Sequence, residues 1–95
     1  MNYEESLMIT VSTAHITKSD KDLLEADKQE AVFSDRYEYG FYICLSKDLP
    51  KEEIIQAGFS EQFARIYLDC VAEKANHLRL DCDGATYEEY EQYKW

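Results

Sequence analysis

The run from Ala31 to Ser46 constrains the fold more than any other stretch of the chain. Val32, Phe33, Tyr37, Tyr39, Phe41, Tyr42, Ile43, Cys44 and Leu45 crowd β-favouring side chains into a segment too long for one ordinary strand. Gly40 inside it suits a bulge or a turn. The segment predicts a hairpin that reverses somewhere between Ser34 and Gly40 and forms the centre of a sheet.

The flanking periodicities supply the rest of that sheet and its cover. Leu7, Ile9 and Val11 alternate with Met8, Thr10 and Ser12, predicting a first strand over Leu7–Ser12 with its odd positions facing the core. Leu78, Leu80 and Cys82 alternate with Arg79 and Asp81 in a last strand, which a turn at Asp83-Gly84 ends. Phe63, Ile66, Tyr67, Cys70 and Val71 recur at the three-and-four spacing of an amphipathic helix, capped by Ser60, running from Glu61 to Ala75 and closed by Asn76. Pro50 fits the first position of a short helix over Pro50–Ala57, with Glu52 and Glu53 in its first turn and Gly58 as a left-handed stop. Thr17 or Ser19 caps another helix, Ser19–Lys28, with Leu23, Leu24 and Ala26 inward. This order predicts an α+β fold: one small antiparallel or mixed β-sheet of about four strands, with helices packed on one face, in a single acidic domain over residues 1–95.

Charge narrows the choice of partner. Twenty Asp and Glu stand against ten Lys and Arg, a net of -10 with no acidic tail to carry it, so the excess must spread over the surface. Such a field repels nucleic acid and attracts basic surfaces. The cations are scattered among twice as many acids, which argues against direct nucleic-acid binding and for a protein partner with a basic surface. The start of the chain lacks a basic n-region, and no apolar run approaches the roughly 18 residues a bilayer span requires, so a cytoplasmic protein of a bacterial cell with no membrane contact is expected.

Candidate chemical sites are incomplete. Cys44, Cys70 and Cys82 are odd in number, lack paired spacing and lie in apolar patterns, which predicts small buried thiols. A zinc site would have to combine His77 with Cys70 and Cys82 at gaps that match no common arrangement. His15 beside Ser12 and Thr13 invites a base-and-nucleophile reading, yet no glycine elbow presents the serine and no acid is placed to orient the ring. A structural role for His15, bonding the loop backbone at the strand end, is expected instead. Asp81 and Asp83 open like a calcium loop, but Ala85 to Glu88 do not continue it, so turn capping is expected. No catalytic, cofactor-binding or metal residue is assigned, and no enzyme is expected. The C-terminal run Tyr87-Glu88-Glu89-Tyr90-Glu91-Gln92-Tyr93-Lys94-Trp95 interleaves rings with carboxylates and is the best candidate contact surface. Its rings have a second possible fate, packing back on the sheet, and Tyr37, Glu38, Tyr39 and Tyr42 on the hairpin raise the same choice.

Three segments carry a family resemblance: Val11-Ser12-Thr13-Ala14-His15-Ile16-Thr17, Tyr39-Gly40-Phe41-Tyr42-Ile43, and Leu78-Arg79-Leu80-Asp81-Cys82-Asp83-Gly84 before the terminal Trp95. Together they resemble a small family of uncharacterised proteins carried by phages, prophages and plasmids. The Ser12-Thr13-Ala14-His15 string is also similar to the opening of a small type I-F anti-CRISPR protein. The resemblance implies a mobile-element gene. With the charge, it leads to the expectation of an anti-defence inhibitor, an anti-CRISPR or antirestriction protein that covers a basic nucleic-acid-binding surface as a DNA mimic would. Asp20, Asp22, Glu25, Asp27, Glu52, Glu53, Glu88, Glu89 and Glu91 are the expected charge donors, joined at the C-terminus by Tyr87 and Tyr90. The alternative expectation is an interaction module of a mobile element that binds through the aromatic C-terminal surface.

Overall fold

The computed structural model describes residues 6–95, and the expectation for the start of the chain rests mainly on residues outside that range. The elements are β1 (Met8–Ser12), a 3-10 helix (Thr13–His15), α1 (Lys18–Ala26), β2 (Phe33–Tyr37), β3 (Gly40–Cys44), α2 (Lys51–Gln56), α3 (Glu61–Ala72) and β4 (His77–Asp81). The four strands form one mixed sheet in the order β1-β4-β3-β2, so the last strand enters between the first strand and the hairpin. β4 runs parallel to β1 and antiparallel to β3, as the α+β reading anticipates.

Register sorts the side chains into two unlike faces. Ile9, Leu78 and Ile43 form one row and Val11, Leu80 and Phe41 the next, and both rows face the helices. Leu24, Ile54, Phe59, Phe63, Ile66 and Tyr67 bury themselves on that face. The opposite face carries the rows Met8, His77, Cys44, Phe33 and Thr10, Arg79, Tyr42, Asp35. Among the described residues no helix covers it, and Met8, Cys44, Tyr42, Phe33 and Asp35 are exposed there. The hairpin turns at Glu38-Tyr39, inside the expected window. Gly40 follows because a Cβ there would overlap the Leu80 carbonyl oxygen and force β3 away from β4.

Local chemistry fixes the helix ends, in places differently from the sequence reading. Thr17, not Ser19, caps α1: its hydroxyl accepts from the Asp20 N–H, and the Asp20 carboxylate accepts from the Thr17 N–H. α1 stops at Ala26 because Asp27 turns left-handed, and Ala26 is exposed, not inward. Pro50 is the N-cap of α2, one position before its first helical residue. α3 ends at Ala72, short of Ala75, because Lys74 takes a positive φ of 64°. The Lys74 and Ala75 N–H groups then close the helix on the Val71 and Cys70 carbonyls. Asn76, expected as that stop, leads into β4 instead, where its side chain accepts from the Leu7 N–H. Leu7 precedes β1 and is 49% exposed, so the inward odd positions are Ile9 and Val11 alone. Cys82 lies just past β4.

Candidate protein-contact surfaces

Ser12, at the end of β1, caps the 3-10 helix by accepting from the Ala14 N–H, and that turn drives His15 into the interior. The imidazole is fully buried. Its Nε2 accepts from the Tyr87 N–H at 2.9 Å, so the ring proton sits on Nδ1 and is donated to the Glu91 carbonyl at 2.8 Å. Both ring nitrogens are therefore committed to backbone, and neither meets the Ser12 or Thr13 hydroxyl. The role is structural, but the backbone it binds is the C-terminal segment, not its own loop.

That segment is strapped to the body along its length. Ala85 accepts from the Ser12 N–H, and the Tyr87 hydroxyl donates to the Thr10 carbonyl. Gln62 on α3 donates to the His15 and Glu91 carbonyls and accepts from the Glu91 N–H. The Tyr93 N–H reaches the Ala14 carbonyl, and the Trp95 indole donates to the Ile16 carbonyl. Tyr90 packs edge-on against His15 and donates to Asp69 at 2.7 Å; burial first, then that carboxylate, pushes its phenol pKa well up. Tyr87 and Tyr90 thus take the second of the two fates open to them in the sequence, packing back on the body, and each stays half-exposed. Glu88, Glu89 and Glu91 on the same strap keep their side chains exposed.

The acids of α1 and α2 divide as sharply. Asp20, expected among the surface charge donors, is fully buried. Its carboxylate accepts from the Ser60 N–H at 2.7 Å and the Ser60 hydroxyl at 2.6 Å as well as from Thr17, tying the start of α1 to the start of α3. Asp22 and Glu25 are exposed but paired with Lys18 and Lys21. Asp27, Glu52 and Glu53 are exposed and belong to no ion pair among the described residues.

The thiols separate too. Cys70 is buried, and burial first, then Asp69 and Glu73, pushes its pKa up to about 11. Cys44 and Cys82 are exposed, against the expectation that all three are buried. His77, Cys70 and Cys82 do not converge among the described residues. Asp81, Cys82 and Asp83 do bring ligand atoms within 4.8 Å of one another, but the Asp81 carboxylate is already engaged. It accepts from the Tyr37 hydroxyl at 2.5 Å and the Asp83 N–H at 2.7 Å, and these bonds, the tyrosine's first, hold its pKa down. This is the expected turn-capping arrangement.

On the open sheet face the hairpin aromatics take the other course. Tyr37 and Tyr42 rings lie 4.4 Å apart, Tyr39 meets Tyr37 edge-on, and Phe33 is 70% exposed. Phe33 is absent from the contact residues that the sequence suggests, although its spacing of two from Asp35 and four from Tyr37 places all three on one strand face.

A family model described as the C-terminal domain of a family of unknown function, DUF5983, matches residues 8–95. The chain belongs to that family. No curated protein and no solved structure matches it. The matched span takes in all eight elements, the strap and the open sheet face.

Proposed function

We propose that this domain is an anti-defence inhibitor of mobile-element origin that acts by occupation, laying its carboxylates on the basic nucleic-acid-binding surface of a host CRISPR or restriction complex. The observation that carries the reading is where the charge sits: among the described residues every Asp and Glu except Asp20 and Asp81 is exposed. A surface so charged attracts a cationic groove and repels the groove's own ligand. Glu52 and Glu53 on α2 and Glu88, Glu89 and Glu91 on the strap are the chief donors, followed by Asp27 and the lysine-paired Asp22 and Glu25. The mobile-element origin rests on the sequence resemblance.

The test is phage challenge of cells that carry a defined CRISPR or restriction system, with and without this gene, alongside DNA binding by the purified complex. Inhibition should fade with salt, because exposed charges are screened over about 8 Å at physiological ionic strength. Reversing Glu52 and Glu53 to Lys in one variant, and Glu88, Glu89 and Glu91 in another, should leave the fold intact and weaken inhibition unequally. Asp20 is left out of such variants because its reversal would bury an unmatched cation. No protection against any such system would end the inhibitor reading.

A further inference from the structure

The sheet has two edges, and the chain treats them differently. β1 is covered by the strap through the Ser12 N–H and Thr10 carbonyl. Among the described residues β2 has no such cover. In β3 the odd positions face β4, since the Tyr39 carbonyl accepts from the Cys82 N–H and the Leu45 N–H donates to Asn76. The even positions of β3 therefore serve β2, and register pairs them with Phe33, Asp35 and Tyr37. Val32, Ser34 and Arg36 are left with their backbone groups turned outward. Val32 bears this out, because the Gln29 side-chain amide satisfies both its N–H at 2.9 Å and its carbonyl at 2.7 Å, as a neighbouring strand would. Ser34 and Arg36 have no such substitute among the described residues.

We propose that this edge receives an extended, arginine-bearing segment of a partner protein as a fifth strand, pairing with the backbone of Ser34 and Arg36. The proposal rests on the reading of the domain as a binder of basic protein surfaces and adds a second contact, on the side of the sheet away from the strap's carboxylates. Charge complementarity selects the occupant. Asp27, Glu30, Asp35 and Glu38 are exposed around the edge against Lys28 and Arg36, and a cleft of about 680 Å³ there is lined by Asp27, Glu30, Val32, Phe33 and Asp35. Side chains of an added strand alternate between faces, so those on the open face lie beside Phe33, Asp35 and Tyr37. With arginine at every second position of the added strand, Asp35 meets one guanidinium and Phe33 lies against the apolar stem and guanidinium face of the next. A second copy of this chain paired antiparallel about Asp35 would set that carboxylate against itself, and one paired about Arg36 would set guanidinium against guanidinium.

The experiment uses the full chain and a capped synthetic peptide alternating Arg and Val, with two controls: Glu in place of Arg, and N-methylation of the alternate amides that would pair with the edge. Amide exchange read by NMR should show Ser34 and Arg36 gaining protection when the Arg peptide binds. N-methylation and Asp35→Lys should each weaken binding by roughly tenfold or more, equivalent to about 1.4 kcal/mol. The Glu peptide should not bind. Binding that protects amides of α3 or the strap, with the N-methylated peptide equally good, would overturn the edge and leave the basic-surface reading standing. Failure of the Arg peptide to bind would also overturn it, while phage challenge decides the broader reading separately. Protection of Ser34 and Arg36 in a concentration-dependent dimer without peptide would assign the edge to a second copy and overturn the proposal.

Discussion

The C-terminal strap and the β2–β3 hairpin are written in nearly the same residues and are held to the body to different degrees. Tyr-Glu-Tyr at Tyr37–Tyr39 and Tyr-Glu-Glu-Tyr at Tyr87–Tyr90 both interleave phenols with carboxylates. On the strap, Tyr87 and Tyr90 are half-buried and bonded to the body; on the hairpin Tyr37 is held in the same way by Asp81, but Tyr39 is 49% exposed and Phe33 more so. The difference lies in what each segment meets. The strap crosses β1 and α3, where His15, Gln62 and the Thr10, Ala14 and Ile16 carbonyls await its backbone and ring donors. The hairpin lies at the far side of the sheet and, among the described residues, has a neighbouring strand on one edge only. A ring is drawn inward when its polar end has a partner there and otherwise stays at the surface as contact area.

The sharpest way to break this contrast is His15→Ala. It removes a buried ring and orphans the Tyr87 N–H and Glu91 carbonyl, so urea unfolding should register a loss of about 3–5 kcal/mol. A loss below about 1 kcal/mol would mean that the strap is held by other contacts. The hydroxyl comparison is finer: Tyr87→Phe forfeits a bond to Thr10 and should cost about 1 kcal/mol, whereas Tyr42→Phe should stay within about 0.5 kcal/mol.

Alkaline titration separates folded from unfolded phenols. The raised pKa of Tyr90 means that the folded chain keeps this proton after the unfolded chain has lost it, so stability should fall as pH climbs from about 10. Tyr90→Phe should flatten that fall, and an unchanged slope would place the phenol in water. Thiol labelling probes the same division without perturbing the fold. Cys44 and Cys82 should react rapidly with an aromatic disulfide reagent and Cys70 only on unfolding. Three rapid thiols would mean that α3 does not shield Cys70. The smallest effect belongs to the hairpin: Phe33→Ser should change stability by no more than about 0.5 kcal/mol, because that ring is already in solvent.

The sheet and the helices on one face were legible because periods of two and of three-to-four residues report burial directly, whereas the choice between an antiparallel and a mixed sheet depends on which strands pair, and periodicity does not carry that. The ends of elements were less legible. Lys74 holds a left-handed stop that composition assigns to glycine or asparagine, and Ala26 lies beyond the inward face because Asp27 ends α1 early. The fate of charged and aromatic residues was least legible, since it depends on long-range partners. Asp20 looks like any first-turn acid until Ser60, forty positions on, supplies two donors. Gln29 and Gln62 carry no motif at all, yet one closes the start of the β2 edge and the other clamps the strap.

Native-state amide exchange of the unliganded full chain tests the division between a sealed strap and an open edge most directly. The account predicts slow exchange at Tyr87, Glu91 and Tyr93, whose N–H groups bond His15, Gln62 and Ala14, and near-unprotected exchange at Ser34 and Arg36. Fast exchange along the strap, or protected Ser34 and Arg36 amides in a dilute monomer, would contradict it.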